Sequence, residues 1–176
     1  MGFRVLLIAV TGKSIDAIHH DYDVTPTGMH EEIPESPVTA VMLPSGQYLL
    51  YINDEITPDD RVFSRLSKNA SLIACYSNET DMNSFACGWT NGVAKWSVAH
   101  DAQQNITHLE TTGDLPGEFG PIRERLSAEQ DDVDDVDYIF DIPVELFVSL
   151  GGIRYDDGIE ADDPEPWHIL TRQPTE

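Results

Sequence analysis

The chain has 176 residues, is 40% apolar and carries a formal net charge of −22. That length fits one domain, and the apolar content suffices to bury a core, so wholesale disorder is excluded. Acidity on this scale opposes nucleic acid and anionic membrane surfaces, both of which are bound through Lys and Arg.

Residues 3–10 form an apolar run, Phe3-Arg4-Val5-Leu6-Leu7-Ile8-Ala9-Val10, too short to span a bilayer. Thr11-Gly12-Lys13-Ser14 follows in place of a small-residue cleavage site, so the run predicts a buried strand and no signal peptide. The same tetrapeptide resembles the end of a phosphate-binding loop. Such a loop needs a glycine five residues before Gly12, and position 7 is leucine, so an ordinary strand-to-helix turn is the better reading. Ser14 is placed to cap a short helix in which Ile15, Ile18 and Tyr22 recur at helical spacing. His19, His20, Asp21, Asp23 and His30 make this region dense in donors, but adjacent His19 and His20 diverge by about 100° on a helix and do not readily share a site.

Segment 24–37, with three prolines, a glycine and several charges, reads as an exposed loop. Two apolar runs, 38–43 and 48–53, joined by Pro44-Ser45-Gly46-Gln47, predict a hairpin. A helix follows, with Thr57 as N-cap, Pro58 at the first position and Asp60 completing a capping box. A strand over 71–76 closes this half. Asn91-Gly92 then gives a two-residue hairpin signal. With those residues as the turn, Trp89 faces Ala94, Cys87 faces Trp96 and Phe85 faces Val98, all on one side of the sheet. Residues 106–112 return along the second strand, a helix opens near Gly120-Pro121, the acidic run 131–137 reads as a loop, and Asp141 and Pro143 start a last helix that Gly151 ends.

These elements predict an α+β protein: a mainly antiparallel sheet with helices packed on one face. A β-α-β-β-α-β start, compatible with a ferredoxin-like half, precedes a β-meander and two C-terminal helices. Residues 1–155 make up the domain, and 156–176 an acidic C-terminal tail, docked or mobile.

Motifs that carry chemistry are scarce. The aspartate-rich segments fail as a helix–loop–helix calcium site in each frame: from Asp132 positions 6 and 12 are Asp137 and Pro143, from Asp134 Glu145 falls at position 12 but positions 3 and 5 are Val136 and Tyr138, and from Asp156 position 12 is Trp167. Cys75 and Cys87 lack a C-x-x-C spacing and read as structural thiols in a reducing cytoplasm. His100, Asp101 and His108 are brought near one another by the predicted hairpin, and two imidazoles with a carboxylate can bind a ligand or move protons. Tyr138 and Asp141 join that candidate site if the fold brings them close. No catalytic residue, cofactor or metal is assigned.

The blocks Trp96-Ser97-Val98-Ala99-His100-Asp101, His108-Leu109-Glu110, Leu115-Pro116 and Val136-Asp137-Tyr138-Ile139-Phe140-Asp141-Ile142-Pro143 resemble a family of small acidic bacterial proteins of uncharacterised activity. The resemblance implies a bacterial, cytoplasmic protein and supplies no activity.

Charge gives the remaining clue. Residues 131–176 hold 14 acids and 2 bases, net −12, more than half of the whole excess. Such a field attracts a basic protein partner. The expectation is therefore a non-enzymatic interaction protein, for example one that neutralises a basic toxin. The alternatives are a small enzyme or ligand binder at the His100 site, and acidity that serves solubility or salt adaptation.

Overall fold

The computed structural model describes residues 2–53 and 58–173. Within them the order is β1 (Arg4–Thr11), α1 (Ile15–Asp21), β2 (Val24–Glu31), β3 (Val38–Met42), β4 (Tyr48–Ile52), α2 (Asp60–Leu66), β5 (Ser71–Asn78), β6 (Asn83–Thr90), β7 (Val93–Asp101), β8 (Glu110–Gly113), α3 (Phe119–Asp131), α4 (Asp141–Ser149) and β9 (Trp167–Arg172). The strands form one sheet in the order β2-β9-β3-β4-β1-β5-β6-β7-β8, and every neighbouring pair is antiparallel. The α+β class and the antiparallel sheet are as the sequence predicts.

The helices, however, cover both faces rather than one. The reason lies in β1, where Val5 to Val10 are all buried. Successive strand side chains point to opposite sides, so a continuous apolar run needs cover on both. Leu6, Ile8 and Val10 pack with Ile18 of α1 and Phe63 and Leu66 of α2. Val5, Leu7 and Ala9 face the other way, toward Val144 and Phe147 of α4. On that second face α3 lies beside α4, with Phe119 and Leu126 over Ala86 and Val98.

The ferredoxin-like start is also corrected. Residues 24–31 are a strand, not a loop, so the chain begins β-α-β-β-β-α-β. β2 is an edge strand with most of its residues exposed, and Pro26 and Gly28 are tolerated there because an outer edge lacks a second ladder partner. The C-terminal segment is docked over 167–172: β9 lies between β2 and β3, with Trp167 buried on one face and Leu170 on the other. Thr57 lies outside the described residues; within them Asp59 is the N-cap of α2, its side chain accepting from the Arg61 N–H. The β5–β8 meander and the two helices after it match expectation.

Asn91 (φ 50°) and Gly92 (φ 79°) do form the turn. The predicted register holds for Thr90↔Val93 and Trp89↔Ala94, then slips at a bulge between Gly88 and Trp89, beyond which Gly88 pairs with Trp96 and Cys87 with Ser97. Lys95 is the extra residue. A one-residue slip reverses every side chain. Trp89 therefore joins the α1/α2 core, while Trp96 joins the α3/α4 core on the opposite face. The expected single aromatic face does not exist. Gly88 permits the slip, because a Cβ there would collide with the Trp96 indole nitrogen.

Cys75 and Cys87 sit on adjacent strands but on opposite faces, and both are free and buried. Opposed side chains cannot close a disulfide. Burial pushes the Cys75 thiol up to about 12 and also raises Cys87. Neither supplies a thiolate at neutral pH.

Replacing Gly88 with Ala forces the Trp96 indole off its seat. The expected cost is about 2 kcal/mol of unfolding free energy with a shifted tryptophan emission; an unchanged denaturation midpoint would contradict the packing described.

Candidate functional site

β7 and the turn after it position the predicted residues. His100 is buried at the end of β7, opposite Ser84 of β6. Its Nδ1 lies 2.6 Å from the His108 carbonyl oxygen and its Nε2 lies 2.7 Å from Asp137 Oδ2. A carbonyl oxygen only accepts, so Nδ1 carries a proton and donates. Nε2 and Asp137 Oδ2 share a second proton, and the carboxylate beside the ring favours its imidazolium form. Burial lowers the tendency of His100 to protonate. The hydrogen bonds to Asp137 and His108 and the charges of Asp137 and Asp101 outweigh it, and the net direction is upward.

His108 stands beside it, the two ring centroids 6.3 Å apart. His108 Nδ1 accepts from the Asp101 N–H at 2.9 Å, which leaves Nε2 as the proton-bearing nitrogen. That nitrogen lies 3.2 Å from Glu110 Oε1 without hydrogen-bond alignment. Asp101 orders its own turn: Oδ1 accepts from the Gln103 N–H and Oδ2 from the Gln104 side chain. His100, Asp101 and His108 are thus brought together as the sequence predicts.

Tyr138 and Asp141 are not part of that cluster's bonding. The Tyr138 ring packs against the α3/α4 core, and its backbone N–H donates to Gln130 Oε1. Asp141 turns to Arg154, 3.1 Å away. Burial raises the Asp141 carboxyl above its usual value, with Arg154 acting in the other direction. The carboxylate that completes the His100 cluster is Asp137, one of five aspartates in the acidic run 131–137. No spacing signal marks it, since it lies 37 residues from His100.

This arrangement anchors rather than opens. His100 is 1% exposed and both of its ring nitrogens are engaged. Asp137 Oδ1 accepts from the Phe140 N–H at the start of α4. A nearby groove of about 340 Å³ is lined by Leu109, Arg123, Ser127, Gln130 and Asp131 among others, and none of the five predicted residues lines it. Lys13, of the phosphate-loop look-alike, is held 2.6 Å from Asp21 Oδ2, and Ser14 caps α1. Among the described residues no group of three or more His, Cys, Asp or Glu could hold a metal ion.

What the cluster does position is the acidic surface. Buried Gln130 binds the Val133 and Val136 carbonyls and the Tyr138 N–H, folding the run 131–137 around its amide. His100 secures the far end of that run through Asp137. Arg154 bridges Asp141 at 3.1 Å and Asp156 at 2.7 Å, which fastens the second acidic segment to the start of α4. Asp131, Asp132, Asp134, Asp135, Asp156, Asp157, Glu160, Asp162, Asp163 and Glu165 are all exposed.

The raised His100 value has a definite sign. The folded chain holds that proton more tightly than the unfolded one, so the pair's contribution is complete below the ordinary histidine range. It is lost as pH rises through the raised folded-state value. Asp137→Asn removes the pair and is expected to cost about 3 kcal/mol at about pH 6. The gap from wild type should narrow as pH climbs through the raised folded-state value. Urea melts at several pH values measure this, and a gap constant with pH would show that His100 is neutral in the fold.

Among known protein families, curated proteins and solved structures, none matches this chain.

Proposed function

We propose that this is a non-enzymatic interaction protein that meets a basic protein through the acidic surface around the start of α4. One observation carries the reading: His100 holds the end of the acidic run 131–137 through Asp137, and Arg154 holds Asp156, where the second acidic segment begins, beside Asp141 at the start of the same helix. Carboxylates placed close together repel one another, and a chain that needed charge only for solubility gains nothing by fixing them there. Fixed charge presents a complementary field without an ordering cost when a basic partner arrives.

The same field disfavours nucleic acid and anionic membranes as partners. Among the described residues no helix is long and apolar enough to cross a membrane. Two free, buried thiols suit a bacterial cytoplasm. Neutralisation of a basic toxin is one concrete form of this role. The competing ligand-site reading loses support from the burial of His100 and the diversion of Asp141 to Arg154.

Affinity capture from the native lysate tests the proposal. A basic protein is expected to bind at low ionic strength, to elute as salt is raised, and to be lost when Asp134, Asp135, Asp162 and Asp163 are changed to Asn. Capture that ignores those four substitutions, or no salt-sensitive basic protein at all, would count against it.

A further inference from the structure

His30 and His168 stand directly opposite each other on β2 and β9, at the point where pairing resumes after the irregularity that follows Pro26. Their ring centroids are 4.2 Å apart and the planes are inclined by 41°. Both side chains are exposed. Among the described residues neither imidazole has a hydrogen bond or an ion pair, so four ring nitrogens are uncommitted at one spot on an acidic protein. Two aromatic side chains facing each other across a sheet edge ordinarily need no further explanation. Two unengaged imidazoles at this separation have a specific capacity.

A metal bound at about 2.0–2.1 Å from an imidazole nitrogen lies about 3.2 Å from the ring centroid. Two such rings bound cis, at a right angle, have centroids about 4.5 Å apart; a tetrahedral angle opens this to about 5.2 Å. The observed separation is within a few tenths of an ångström of the cis right-angle arrangement, and rotation of the two exposed side chains is what would aim one nitrogen of each ring at a common ion. We propose that His30 and His168 form a bidentate surface site for a divalent transition-metal ion of the imidazole-preferring, right-angle kind, Ni²⁺ or Cu²⁺, with water completing the coordination.

His19 is set apart from the pair: it is buried, and its Nε2 is committed to the Tyr48 hydroxyl at 2.7 Å. The neighbouring Glu31 is also spoken for, accepting from the Glu35 and Ser36 N–H groups and the Ser36 hydroxyl. The site is therefore a two-residue chelate. Its binding energy comes from holding two ligands at a fixed distance, and the chain's net charge of −22 raises the local cation concentration. An ion bound there ties edge strand β2 to the C-terminal strand β9 and so stabilises the end of the sheet.

The test uses the full, untagged chain stripped of metal and titrated with NiCl₂ by calorimetry at about pH 7.5 and about pH 5.5, where protons compete for imidazole. The expected result is saturable binding of one ion at the higher pH, weakened about tenfold or more at the lower pH and in each of His30→Gln and His168→Gln. His20→Gln, an exposed histidine elsewhere, binds as wild type. Nickel raises the thermal midpoint of wild type and leaves that of the double variant unmoved. Absence of saturable binding overturns the proposal, as does wild-type affinity in either single variant or an equal loss in His20→Gln.

Discussion

The contact between His100 and Asp137 joins three parts of the molecule that the chain itself keeps far apart. It ties the end of β7 to the last residue of the acidic run, and the same carboxylate receives the Phe140 N–H where α4 begins. α4 in turn supplies Val144 and Phe147 to one core and Ile142 and Leu146 to its neighbour. The pair counters the mutual repulsion of the run's charges, together with the Gln130 amide that holds the run's backbone. A buried imidazolium is costly by itself, as is a buried carboxylate. Each is tolerated because the other is there, and because the His108 carbonyl takes the second ring proton.

A second buried histidine shows the opposite solution. His19 sits against Tyr48, and burial lowers its tendency to protonate, with Asp16 opposing and His168 reinforcing that effect. A neutral His19 resists protonation in the fold, so its contribution holds above the ordinary histidine range and is lost as pH falls below it. One histidine therefore favours the folded state on the acid side and the other on the neutral side. The difference is local: an acidic partner within hydrogen-bond reach for His100, a hydroxyl for His19.

Much of the fold was legible in the sequence, and the failures have physical causes. β1, the β3–β4 hairpin, the Ser14 cap and the Asn91-Gly92 turn follow from apolar runs and turn chemistry that act within a few residues. The run Val5 to Val10 also declared that both faces would be covered, a consequence the one-face reading missed. β2 was concealed because an edge strand tolerates Pro26, Gly28 and polar residues, which are loop signals elsewhere. β9 was concealed by the acidic, proline-containing segment before it. The register of β6 and β7 was set by Gly88 yielding space to Trp96, an event that no turn rule contains. His100, Asp101 and His108 could be grouped because a hairpin relates them. Asp137, and the pairing of His30 with His168, depend on tertiary contacts between distant segments.

If a charged His100 anchors the acidic surface, the protons of its own imidazole report it. Long-range nitrogen–proton NMR spectra of the histidine rings across a pH titration distinguish imidazolium from either neutral tautomer. His100 is expected to carry protons on both nitrogens at neutral pH and to release one only above the ordinary histidine range. A His100 ring that is neutral at pH 7, or that titrates at or below the ordinary value, would contradict it.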